Sequence, residues 1–278
     1  MEAADRVYEC RARGIFRKSG ITPLAGDMAA ISAEPDGTGM VEEILPRRNF
    51  LRRPPVANLD QLMIIVSSCE PSPNLLNTDR IVAAALEKEI EPVLVFSKTD
   101  LAAVTPLEKI YSSAGIRWFS VSCKTGQGVE KVKRLLPGKT TVFTGNSGVG
   151  KSTLLNSMFH SLHLQTGEIS RKLGRGRHTT RKVQLLKLKE GGYVADTPGF
   201  SSITLEKSDR ARKENLPFCF PEFAPYLGEC QFSSCSHTGE KGCAILQAVR
   251  DGKISQSRYK NYVMMYREMD GIKEWNKK

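Results

Sequence analysis

At 278 residues with 40% hydrophobic content, the chain has room for two or three domains and a sizeable core. No apolar run nears the roughly 18 residues that cross a bilayer, and the opening MEAADRVYE is acidic where a secretory leader is basic, so a cytoplasmic protein without membrane attachment is expected. The formal charge of +11 is uneven: residues 171–205 hold eight Lys/Arg against two Asp/Glu, a concentration that points to a polyanionic partner, nucleic acid or an anionic membrane.

Seven cysteines, an odd number without a secretory signal, argue against a disulfide framework. Cys10 and Cys69 stand singly, and Cys219 lies outside the later cluster and is assigned no ligand role.

In chain order, VYECRARG, DMAAISAE and GMVEEILP read as short strands separated by turn residues, the spacing of a small β-barrel. The basic connector PRRNFLRRPP marks a boundary near residue 55, giving a first domain over 1–55. From residue 56 to 206 strands and helices alternate. QLMIIVSS is a buried strand, LLNTDRIVAAALEKE a helix and PVLVFSK a second buried strand. GIRWFSVS, GVEKVKRLL, TTVFTG and the helix GKSTLLNSMFHSL follow. This is the rhythm of a parallel sheet covered by helices. KVQLLKLK and YVADTPGF, joined across Glu190-Gly191-Gly192, read as a hairpin. Residues 207–278 form a third, irregular and cysteine-bearing region that ends in the helical RYKNYVMMYREM.

The run Gly145, Asn146, Ser147, Gly148, Val149, Gly150, Lys151, Ser152 and Thr153 contains GxxxxGKS between a strand and a helix. Its glycines let successive N–H groups turn towards phosphate, and the helix start adds its dipole. Lys151 suits the β and γ phosphates, and the Ser152 hydroxyl suits Mg²⁺. Asp196, ending the strand YVAD, is placed to hold that Mg²⁺, and Gly199 brings an amide to the γ-phosphate where no side chain intervenes.

A carboxylate is the natural acceptor for guanine's ring N–H and exocyclic amine, and GTPases carry it in NKxD downstream of the phosphate loop. Here it lies upstream: in SKTD, Lys98 and Asp100 take the expected places, with Ser97 where Asn is usual. Next, Ser122, Cys123 and Lys124 stand for the Ser-Ala-Lys loop whose amide meets the guanine oxygen. Base loop, second base loop, phosphate loop, switch and metal Asp therefore follow in circularly permuted order.

Between the phosphate loop and Asp196, Thr179 or Thr180 is the switch threonine that binds Mg²⁺ and senses the γ-phosphate. Around them stand Arg171, Lys172, Arg175, Arg177, Arg181 and Lys182, so a loop ordered by nucleotide would couple GTP occupancy to RNA affinity. Phe200 follows DTPG where many GTPases place a water-orienting Gln, which predicts slow turnover in isolation. Cys230, Cys235, His237 and Cys243 form C-x4-C-x-H-x5-C. Three thiolates and an imidazole suit a closed, structural Zn²⁺ site, which supplies about 10–16 kcal/mol in small peptides.

Taken together, GNSGVGKST, DTPGF, GRGRHTT, the upstream base loops and the Cys/His tail resemble the RsgA (YjeQ) family of circularly permuted GTPases, over nearly the whole chain. The resemblance implies an N-terminal OB-like barrel, a central α/β P-loop domain and a mostly helical zinc domain. The strand that opens the family's barrel is missing or shortened here. It further implies late assembly of the 30S ribosomal subunit, rRNA binding, ribosome-stimulated GTP hydrolysis, a monomeric state, and His178 as the residue that positions water. The permutation sets the metal Asp and switch directly before the zinc domain, a route by which nucleotide state would move it. The rival readings are an RNA-binding protein that holds GTP with little turnover, and a P-loop hydrolase with a non-ribosomal anionic target.

Overall fold

A computed structural model of the chain describes residues 1–3, 6–14, 16, 20–159, 183–196 and 212–270. The N-terminal strands β1 (Glu2–Ala3) and β2 (Arg6–Val7) pair with each other. β3 (Glu9–Ala12), β4 (Ala29–Ala33) and β5 (Thr38–Ile44) form a three-stranded sheet in the order β3-β5-β4. β5 runs parallel to β3 and antiparallel to β4, with a bulge at Ala30/Ile31. The three predicted barrel strands are thus present.

The basic connector is itself structured: β6 (Phe50–Arg52) and β7 (Pro55–Ala57) pair antiparallel. Leu51 and Val56 are buried in the core of the central sheet, so this segment is packed and does not act as a free linker.

The central sheet has six strands in the order β10-β9-β8-β11-β13-β12. They are β8 (Gln61–Ser67), β9 (Glu91–Ser97), β10 (Arg117–Ser120), β11 (Thr140–Thr144), β12 (Gln184–Lys187) and β13 (Tyr193–Asp196). All are parallel except β12, which returns antiparallel on β13 as the predicted hairpin. At its turn Gly192 has φ +86°, and a Cβ there would fall 2.6 Å from the Lys139 carbonyl oxygen, so only glycine fits.

Every residue of β8 is buried because both faces are covered. Leu62, Ile64 and Val66 face one layer with α1 (Leu75–Glu87) and α2 (Thr105–Ser113). Met63 and Ile65 face the other, with α3 (Val129–Lys133) and α4 (Lys151–Met158). Truncating one such residue, Ile65→Ala for instance, costs about 2–5 kcal/mol. α3 is shorter than its apolar pattern suggests. Leu135 and Leu136 tighten to i→i−3 bonds ahead of Pro137-Gly138, which cannot continue a helix. Among the described residues no helix is long and apolar enough to cross a membrane.

The C-terminal region packs on α1 rather than standing apart. Its elements include α5 (Ala244–Arg250) and α6 (Gln256–Asp270), and Leu216, Phe220, Phe223, Ile254, Tyr262 and Met265 bury against Ala83 of α1.

Candidate nucleotide site and metal centre

Five parallel strands end on one edge of the sheet, at Ser67, Ser97, Ser120, Thr144 and Asp196. From β8 the chain runs outward to β9 and β10, then returns to the far side of β8 as β11. Ligands bind outside the carboxyl ends of strands at such a reversal.

The phosphate-loop run leaves β11 here. A Cβ on Gly145 would sit 2.6 Å from the Ile65 carbonyl oxygen, so the backbone passes β8 at a distance no side chain permits. Asn146, Ser147 and Gly148 form the outer turn, Val149 anchors it in the core, and Gly150, at φ +94°, opens α4. The amides of Lys151, Ser152 and Thr153 thus begin the helix, at the positive end of its dipole. Burial lowers the Lys151 ammonium from its ordinary pKa, and a phosphate placed beside it would restore the charged form.

The upstream base loops arrive at the same place. Ser97 Oγ donates to the Val149 carbonyl at 2.5 Å. Lys98 adopts φ +60°, its carbonyl accepts from Ser68 Oγ at 2.9 Å, and its ammonium donates to the Glu70 carbonyl. The two loops are tied by Thr99 N–H to the Val121 carbonyl, 3.3 Å. Asp100 is exposed, and its Oδ1 accepts from Ser122 Oγ at 2.7 Å. That hydrogen bond holds the Asp100 carboxyl below its ordinary pKa, with the Lys124 ammonium adding to the effect. Cys123 is half-buried; burial pushes its thiol up while a contact with Ser157 of α4 opposes. Segments 97–100, 122–124 and 145–153 are therefore brought together.

Asp196 ends β13 beside β11, on the phosphate-loop edge. His178, Thr179, Thr180 and Gly199, with Phe200 and the basic run 171–182, lie outside the described residues. Sequence reasoning passed over Ser68, Glu70 and Asn74, which form the loop that braces Lys98 and starts α1. Their only signal is position, directly after a strand that ends at the reversal.

In the C-terminal region the ligand atoms of Cys230, Cys235, His237 and Cys243 all lie within 4.8 Å of one another. His237 Nδ1 is 3.4 Å from Cys230 Sγ and 3.7 Å from Cys243 Sγ, and the two sulfurs are 3.9 Å apart. Tetrahedral zinc with Zn–S near 2.3 Å sets sulfurs about 3.8 Å apart and S···N about 3.6 Å, so the donor set fits that ion. His237 sits at φ +58°, in a turn braced by Glu240, whose carboxylate accepts from the amides of Ser236, Thr238 and Gly239 at 2.8, 2.9 and 3.1 Å. Tyr262 OH of α6 donates to the Ser236 carbonyl at 2.8 Å. Cys219 is buried away from this cluster, beside Glu87, and burial pushes its thiol up to about 12.

Residues 44–206, more than half the chain, match the family model for the RsgA GTPase, and residues 1–41 match the RsgA N-terminal domain. The chain belongs to the RsgA GTPase family. RsgA relatives named small ribosomal subunit biogenesis GTPase RsgA include that of Agathobacter rectalis, 42% identical over 270 residues and covering 95% of this chain and 88% of the relative. The RsgA of Moorella thermoacetica is 42% identical over 271 residues, covering 97% and 92%. Among solved RsgA-like structures, YjeQ from Thermotoga maritima superposes with a TM-score of 0.80 at 36% identity, covering 95% of this chain and 90% of its own. YloQ, described as a circularly permuted GTPase, gives 0.78 at 35%, covering 98% and 89%.

Proposed function

We propose that this protein is a GTP hydrolase acting in late assembly of the 30S ribosomal subunit, binding its rRNA and turning over faster on the particle. The observation that carries this reading is the Ser97–Val149 hydrogen bond, which sets a guanine-type loop against the phosphate loop although 52 residues separate them. The names of the RsgA relatives supply the ribosomal role.

In this reading the chain divides into an RNA-binding barrel (1–55), the permuted GTPase domain (56–206) and a zinc-binding domain (207–278). Asp100 accepts the guanine ring N–H and amine, Ser122 orients that carboxylate, and the loop amides at Cys123 and Lys124 meet the guanine oxygen. The Gly145–Thr153 amides and Lys151 hold the phosphates. Ser152 and Asp196 would hold Mg²⁺, with Thr179 or Thr180 completing the set. The ion neutralises charge on the phosphates. Gly199 senses the γ-phosphate, and His178 orients the attacking water in place of the absent Gln. Zn²⁺ on Cys230, Cys235, His237 and Cys243 is structural. The protein works as a cytoplasmic monomer with no membrane partner.

The test is GTP turnover with and without purified 30S subunits, for wild type and Asp100→Asn. Wild type should be slow alone and strongly stimulated. Asn cannot accept both guanine donors but donates to a carbonyl, so the variant should lose GTP and gain xanthosine triphosphate. Unstimulated turnover, or undiminished guanine preference in Asp100→Asn, refutes the reading.

A further inference from the structure

α1 is occupied on two sides. Ile81, Val82 and Ala85 face the sheet. The opposite stripe, spaced three and four residues apart, faces the C-terminal region: Leu76 and Ala83 pack in its core, Arg80 pairs with Glu268, and Glu87 accepts from Arg212 and Asn215 at 3.0 Å each. The centre of that stripe is Asp79. It accepts from Arg258 Nη1 at 2.6 Å, Asn261 Nδ2 at 2.6 Å and Tyr111 OH at 3.0 Å. Arg258, at 0% exposure, also forks onto both oxygens of Glu222 at 2.8 and 3.0 Å and lies over the Phe220 ring, 4.5 Å from its centre.

The residue before Asp79 belongs to the nucleotide edge. Asn74, Asn77 and Thr78 form one wall of a cleft whose other wall is Gly145, Asn146 and Val149 of the phosphate loop. One turn of α1 is therefore cleft wall on one side and ion-pair anchor on the other.

We infer that Arg258 is a positioning residue for the nucleotide site: from the C-terminal region it clamps α1, and so fixes the wall against which the phosphate loop is set. A buried guanidinium with three directed bonds to two carboxylates tolerates sliding far less than an apolar contact does, because each displaced bond strands a charge without water. The zinc-bearing region and the phosphate-loop wall then move as one body. Nucleotide state does not swing that region about its chain connection, since such a swing would break the network. A load placed on the zinc region reaches the phosphate loop along α1. This inference rests on the nucleotide site proposed above.

The experiment compares binding of fluorescent GDP and a non-hydrolysable GTP analogue by the full chain, without ribosomal particles. Arg258→Met that retains zinc and melts cooperatively should bind both more weakly, by about 3- to 20-fold. Ile254→Ala, a cavity in the same C-terminal core that leaves the network intact, should leave binding unchanged. The combined Asp79→Leu, Glu222→Met, Arg258→Met chain, which refills the seam with apolar groups, should recover most of the lost affinity. Unchanged affinity in folded Arg258→Met, or equal loss in Ile254→Ala, overturns the inference.

Should Arg258→Met not fold, the native network is tested directly through spin labels on non-natural side chains at the exposed Lys131 and Met264. One distance distribution, the same with GDP and with the analogue, is expected. A shift of about 5 Å, or a second population, overturns the rigid body and the inference with it. A wild type that bound no guanine nucleotide would instead overturn the underlying site, and this inference with it.

Discussion

Ser97 and Val149 meet through a 2.5 Å hydrogen bond from a hydroxyl to a backbone carbonyl, at the point where the base loop and the phosphate loop touch. The same hydroxyl lies 3.4 Å from the Val66 carbonyl of β8, so one short side chain at the end of β9 links the end of β8 to the phosphate loop. A serine at this position therefore serves as a strut between loops. Ser97→Ala leaves the Val149 carbonyl buried without its donor, at about 1–3 kcal/mol, and should speed GDP release by roughly tenfold. Stopped-flow release of a fluorescent GDP measures this, and an unchanged rate removes the strut from the account.

Asp100 has its pKa lowered from the ordinary 3.8 by the Ser122 hydroxyl. A carboxylate depressed in the folded state keeps its contribution above its ordinary value and loses it only as pH falls through the lower folded value. Guanine affinity should accordingly stay flat from neutral pH down to about pH 5. Ser122→Ala should let the Asp100 pKa rise towards the ordinary value, which a carboxyl-carbon NMR titration follows; an unmoved pKa means that Ser122 does not govern this group.

The Cys/His cluster predicts one zinc per chain by elemental analysis, and a C-terminal region that melts when a strong chelator withdraws it. Zinc uptake displaces thiol protons, so apparent affinity falls as pH falls. Glu240→Ala removes the brace on the His237 turn without touching a ligand and should weaken zinc retention by about 10- to 100-fold, as supporting-shell losses do. Full retention in competition with a colorimetric chelator would show the turn to be self-supporting.

Gly145→Ala places a methyl 2.6 Å from the Ile65 carbonyl oxygen and 2.9 Å from Val149 Cγ2, and neither the strand nor the buried valine has room to yield. Overpacking of this kind costs about 1–3 kcal/mol and displaces the loop. Nucleotide binding by calorimetry should fall below detection while the far-ultraviolet circular dichroism stays native. Binding at the wild-type level would mean the loop leaves β11 by another path.

Much of this organisation was legible in local sequence because it is written in short-range patterns. Apolar runs bounded by turn residues marked β8, β9 and β11, and phosphate and base loops follow strand ends at fixed spacing. What was missed is tertiary. α2 begins Thr105-Pro106 and has few apolar residues; its Tyr111 is buried against Phe96 of the sheet, with Asp79 and Arg258 coming from distant helices to meet it. Arg258 itself reads as one more charge in a basic helix until Glu222 and Asp79 are seen around it. Leu51 looked like part of a charged connector, and its burial depends on a surface that the central sheet supplies.

The place where the chain enters the central sheet also dictates how the molecule is made. Synthesis delivers β8, β9 and β10 before β11, so β8, apolar on both faces, emerges with one hydrogen-bonding edge bare. Half a sheet then waits on the ribosome until Thr141–Thr144 arrives to pair with Gln61–Ile64. A pause in translation between residues 68 and 139 would hold that sticky edge open, and chaperone demand should peak there.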